Sequence, residues 1–155
     1  MTFLIDRGRL ESIQVLDPAA AASTAVERGT RRLRTATGGL EAGDPDGAYA
    51  AAYDAYRMAA EALLIRQGLR ASGGEGSHVT VEDAVSAQFA GDIEEFAKPT
   101  FERFRRMRHM AQYFDPSAAP TTVEDAEWAL ERSRGAIDGV RELLAANPPD
   151  RFEGG

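Results

Sequence analysis

The clearest fold signal in the sequence lies near its end. Val123, Ala126, Leu130, Ser133, Ile137, Val140 and Leu144 recur at alternating three- and four-residue steps. That spacing keeps one side of an α-helix against a neighbour. Thr122 with Asp125 forms a capping box that starts the helix, and Asn147-Pro148-Pro149 stops it. A single helix with such a seam gains most of its stability from packing on other helices.

The rest of the chain supplies those partners. Asp17-Pro18 reads as an N-cap followed by a first-turn proline, opening an Ala-rich helix to about Leu40, where Gly38-Gly39 frays it. Asp44-Pro45 repeats the signal, and from Tyr49 the apolar positions 49, 52, 53, 56, 59, 60, 63 and 64 make a helical stripe. Gly68 reads as its C-terminal cap, followed by the loop SGGEGS. Thr80-Val81-Glu82-Asp83 resembles a capping box opening a short helix to Phe89, which Gly91 ends. Another helix, continuous from Asp92 or restarted at Pro99, places Phe101, Phe104, Met107, Ala111 and Phe114 on one side. The expectation is an all-α antiparallel bundle of four or five helices without strands. Residues 1–16 form an N-terminal arm, 17–147 the bundle and 148–155 a disordered tail.

Composition narrows the chemistry. The 155 residues suit one domain. The apolar fraction is rich in Ala, which favours close helix packing over sheet. Cysteine is absent, which excludes disulfides, thiol nucleophiles and Cys-based zinc sites. No stretch approaches the roughly 20 apolar residues that span a bilayer. The opening residues, with Asp6, Arg7, Arg9 and Glu11, do not read as a secretory signal; a cytoplasmic protein is expected. The net charge of -7 argues against general DNA binding. Arg103, Arg105, Arg106 and Arg108 nevertheless form a local basic run able to meet an anion or RNA.

Several residue sets remain as candidates. His78 stands before a helix start, either as an exposed or locally capping residue or as one that meets a ligand there. Arg106, His109 and Tyr113 are spaced three and four apart, so their side chains can meet, with Glu102, Arg105 and Gln112 on the same polar side. That face serves a general base beside arginines, a subunit contact, or solvent. Glu94-Glu95 and Glu124-Asp125 read as solvated faces and helix-start charges. HExxH, GxxxxGK[ST] and strand-linked GxGxxG patterns are missing, so neither a metal nor a cofactor is expected. Tyr49, Tyr53 and Tyr56 either stack bases or lie within the bundle with hydroxyls at its edge.

Taken in order, AYAAAYDAYRMAAEALLIRQGLR (48–70), SHVTVEDAVSAQF (77–89), FRRMRHMAQYFD (104–115) and TVEDAEWALERSRGAIDGVRELL (122–144) resemble the HEPN (higher eukaryotes and prokaryotes nucleotide-binding) domains. The likeness spans roughly residues 17–146 and is greatest to uncharacterised actinobacterial members with an Arg-x-x-Arg-x-x-x-Glu-Tyr-like stretch before the last helix. The resemblance implies a helical bundle that forms a homodimer or binds a nucleotidyltransferase-like partner in a toxin–antitoxin pair, with RNA or nucleotide as ligand. HEPN ribonucleases carry Arg, four to six residues, then His, often with a Tyr two residues on, and cleave RNA without metal across a homodimer. Here Arg106 aligns with that arginine when Tyr113 is matched, but Ala111 then holds the histidine place. Arg103 and His109 satisfy the looser spacing, yet lie about 120° apart around the helix. The expected function is a binding module that does not cut, with Arg103, Arg105, Arg106, Arg108, His109 and Tyr113 as ligand-binding residues. The alternative is a metal-independent endoribonuclease in which His109, Arg106 and Tyr113 act.

Overall fold

In the computed structural model, which describes residues 1–73 and 77–153, the order is α1 (Thr2–Asp6), β1 (Leu10–Ser12), α2 (Pro18–Glu41), α3 (Pro45–Arg66), β2 (Leu69–Ala71), α4 (Ser77–Phe89), α5 (Lys98–Gln112) and α6 (Val123–Ala146). A 3-10 turn at Glu94–Phe96 precedes α5. The protein is all-α, with α3 in the middle of the bundle and packed against α2, α4, α5 and α6.

The local signals behave as chemistry dictates. The Asp17 and Asp44 side chains accept from Ala20 N and Gly47 N at 3.0 Å, with proline in the first turn of both helices. Both halves of the Thr122–Asp125 capping box form. α5 restarts at Lys98-Pro99 rather than running through from Asp92, since proline fits a first turn and would break an interior one.

Alanine lets α3 approach its neighbours closely. Ala48, Ala52, Ala55, Ala59 and Ala62 are fully or almost fully buried along it. Gly29 of α2 faces this helix so tightly that a Cβ there would lie 2.6 Å from Ile137 Cδ1 and 3.3 Å from the Ala55 carbonyl oxygen. Ser133, fully buried on α6, donates to the Ala52 carbonyl at 2.6 Å. Tyr49, Tyr53 and Tyr56 lie in the bundle: Tyr56 stacks on Phe104 at 4.2 Å and donates to the Glu95 carbonyl at 2.6 Å. Burial pushes the phenols of Tyr49 and Tyr56 well above their ordinary range, so both stay neutral.

Four expectations need correction. Two short strands exist: β1 of the arm pairs antiparallel with β2, Leu10 opposite Ala71 and Ser12 opposite Leu69. Gly68, with φ of 78°, turns the chain from α3 into β2. The arm is therefore both a helix and a strap. α4 begins at Ser77, and Thr80–Asp83 is interior to it. Asp83 turns to Arg9 and Lys98 at 3.0 Å, and Thr80 Oγ1 accepts from Arg9 Nε, so neither serves as a cap. Phe114 is 92% exposed and Val123 48% exposed, because α5 ends at Gln112 and Val123 is the first residue of its helix, beyond the seam. Past Pro148, where disorder was expected, Phe152 N donates to the Gln67 carbonyl at 2.9 Å and its side chain packs on the core. The GGEGS residues 74–76 lie outside the described residues, as do 154–155.

Candidate functional site

α5 does not present its arginines on one face. Phe101 and Phe104 bury one side among Tyr53, Tyr56, Phe96 and Trp128. The charged residues flanking that buried side diverge. Arg103 lays its guanidinium over Trp128 of α6, 3.9 Å from the ring centroid. Arg105 and Arg108, three residues apart, lie on the flank facing α3 and α4. Arg106, His109, Met110 and Tyr113 point outward and are exposed. The expectation that Arg105 shares the outer face with Arg106, His109 and Tyr113 is therefore corrected. Its guanidinium bonds Glu82, which is buried on α4 near the buried apolar residues Val81, Ala84 and Val85.

The outer set is partly assembled. The His109 and Tyr113 rings meet at 4.9 Å between centroids. Among the described residues no hydrogen bond or ion pair joins His109 to Arg103 or Arg106.

The inner set is more concentrated and includes residues that the sequence did not single out. His78, in the first turn of α4, has Nδ1 2.9 Å from the Tyr53 hydroxyl, and Arg57 Nη1 lies 3.3 Å from both ring nitrogens. Arg57 also pairs with Glu61 at 3.1 Å. Arg105 Nη1 reaches Glu82 at 2.8 Å. Arg108 sits over the Tyr53 ring at 5.0 Å and 3.9 Å from Asp54, and its Nε is buried with no hydrogen-bond partner among the described residues. Burial, followed by the charges of Arg57, Arg108 and Arg105, lowers the His78 pKa from its ordinary value. The imidazole is thereby pushed toward its neutral form, with Arg57 in contact and Arg105 and Arg108 on neighbouring side chains.

An anion suits such a place. It would accept from the free arginine N–H groups and lose the repulsion among them. No three of the described His, Asp and Glu residues are grouped to hold a metal ion. Among the described residues no helix is long and apolar enough to cross a membrane. Arg57, Asp54 and Glu82 could have been flagged in the sequence: Glu82 lies between Val81, Ala84 and Val85 on a short helix, where a carboxylate needs a partner.

No curated protein and no solved structure matches the chain. A family model described as HEPN domain matches residues 22–143, which takes in α3, α4, α5 and nearly all of α2 and α6. The chain belongs to the HEPN domain family.

Proposed function

We propose that this HEPN module binds RNA or a nucleotide through phosphate and does not cleave it. It acts in the cytoplasm as a homodimer or with a nucleotidyltransferase-like partner of the toxin–antitoxin kind. The observation that carries the reading is the clustering of three arginines on the flank where α3, α4 and α5 meet: Arg57 lies 3.3 Å from His78, Arg105 2.8 Å from Glu82, and Arg108 over the ring of Tyr53, whose hydroxyl bonds His78. Three fixed guanidiniums offer more donors than Asp54, Glu61 and Glu82 use, and phosphate takes them bidentately. The C-terminal end of α5 and the residues just after it support association: Met110, Tyr113 and Phe114 are large and exposed within five residues of His109.

Two placements favour binding over cutting. Arg103 is held on Trp128, while His109 lies against Tyr113. The pair that fits the ribonuclease spacing is thus engaged on different neighbours. The endoribonuclease reading retains one favourable observation, the exposed His109–Tyr113 contact. In it Arg106 or Arg103 would stabilise the phosphorane, His109 would move protons and Tyr113 would orient them.

The test is fluorescence anisotropy with a labelled single-stranded RNA in EDTA, with the products run on a denaturing gel. The expected result is saturable, salt-sensitive binding weakened at least tenfold by Arg108→Ala, with intact RNA. Cleavage without metal that disappears in His109→Ala establishes the enzyme reading instead. Absence of binding, with both RNA and free nucleotides, removes the phosphate reading.

A further inference from the structure

A cavity of about 360 Å³ opens beside this cluster, between α3, α4 and the β1–β2 ribbon, a size in the range of small-molecule sites. Its polarity is graded. The floor is Leu64, Leu69 and Val81, all nearly or fully buried, with Ile13, Ile65 and Ala71 half-buried along its sides. The solvent side is polar and carries Arg57, Glu61, Arg70 and His78. Arg70 is the most open of these, with 65% of its side chain exposed.

Two features decide what fits. The described lining holds no Phe, Tyr or Trp, and its one ring is the His78 imidazole on the polar side; the apolar part consists of branched aliphatic groups and one alanine methyl, so it offers no broad stacking platform for a base or other flat heterocycle. The rim offers guanidiniums whose carboxylate partners leave donors free. Arg57 uses Nε on Glu61 and Nη1 near His78, leaving Nη2. Arg70 uses Nε on Glu11, leaving both terminal nitrogens. Glu61 is held by Arg57 and does not face the cavity as an unpaired charge.

We infer that this cavity is a binding site for a small aliphatic carboxylate, with its hydrocarbon chain on Leu64, Leu69 and Val81 and its carboxylate at Arg70 and Arg57. The site is distinct from the phosphate cluster, though Arg57 and His78 form a wall common to both. It requires the arm, which supplies Ile13, the residue after β1, to one side of the cavity and, from β1, Glu11 to hold Arg70.

The experiment is isothermal titration of the full chain with butyrate, hexanoate, octanoate and octanol. Each added methylene should tighten binding about fourfold, with a negative heat-capacity change. Octanol should bind at least tenfold more weakly than octanoate. Ile65→Trp, at a half-buried position, should abolish octanoate binding while thermal melting shows the fold intact. Arg70→Gln should weaken octanoate but leave octanol unchanged. Equal affinity across the chain-length series, equal affinity for octanol and octanoate, or octanoate binding untouched by Ile65→Trp would each overturn the inference. If Ile65→Trp fails to fold, Ala71→Leu on β2 gives the same filling test. RNA binding is read separately with Arg108→Ala, a residue outside the cavity lining, so the two proposals fail independently.

Discussion

Arg105 Nη1 donates to Glu82 Oε2 across 2.8 Å, although only 4% of the Glu82 side chain reaches solvent. Burial pushes the Glu82 carboxyl above its usual range, against the pull of Arg105. Removing the arginine leaves the carboxylate without its principal partner. Arg105→Ala should therefore cost about 1–3 kcal/mol in urea unfolding, with part recovered by Arg105→Lys. The pair Arg105→Ala/Glu82→Gln should cost less than the two single changes summed, because each variant acts on one shared contact.

His78 couples stability to pH. Its folded pKa lies below the unfolded value of about 6.5, so the unfolded chain binds the proton first. The stabilising difference is present above about 6.5 and is lost as the pH falls toward and through the folded value. Between about pH 7 and about pH 5 the Tm of the wild-type protein should fall further than that of His78→Gln. Scanning calorimetry at three or four pH values reads the difference. Parallel melting curves would contradict it.

Two glycines on α2 should respond with opposite sign. At Gly29 an added methyl meets Ile137 and the Ala55 carbonyl, so Gly29→Ala should destabilise by about 1–3 kcal/mol. Gly38 has nothing within 4 Å of a built Cβ. Gly38→Ala should stabilise by about 0.5–1 kcal/mol through helix propensity alone. Denaturant midpoints for the two variants settle the contrast.

The Tyr49 hydroxyl is buried and has no hydrogen-bond partner among the described residues. Its ring packs against Phe104 at 6.0 Å and does not need the oxygen. Tyr49→Phe is expected to be neutral or to stabilise by about 1 kcal/mol. Tyr56→Phe loses the bond to the Glu95 carbonyl and should cost about 1 kcal/mol.

The helices were legible because their signals are local. Asp17-Pro18, Asp44-Pro45 and the Thr122–Asp125 box state where a helix starts within four residues. The ribbon was not legible, since Leu10 and Ala71 become neighbours only after α3 has formed between them. Thr80–Asp83 misled because a cap signature and a half-buried Arg9–Asp83 pair use the same residue types. The candidate site was half legible. The arginines of α5 stood out by density, but their division depended on Glu82 and Trp128, distant in sequence and invisible to a helical wheel. His78 looked like a loop residue because its partners Tyr53 and Arg57 come from another helix.

The docked tail has a practical corollary. Met1 Sδ accepts from Gln88, Gln88 and Gln67 exchange side-chain hydrogen bonds, and the Gln67 carbonyl receives Phe152 N–H. The first residue and the last docked one are thereby stitched to a single corner of the molecule. Anything covalently joined to either side will emerge there, so paired fluorophores on the two flanks should transfer energy efficiently in the native state and lose that signal on melting. A permutant with new ends elsewhere would need only a short bridge.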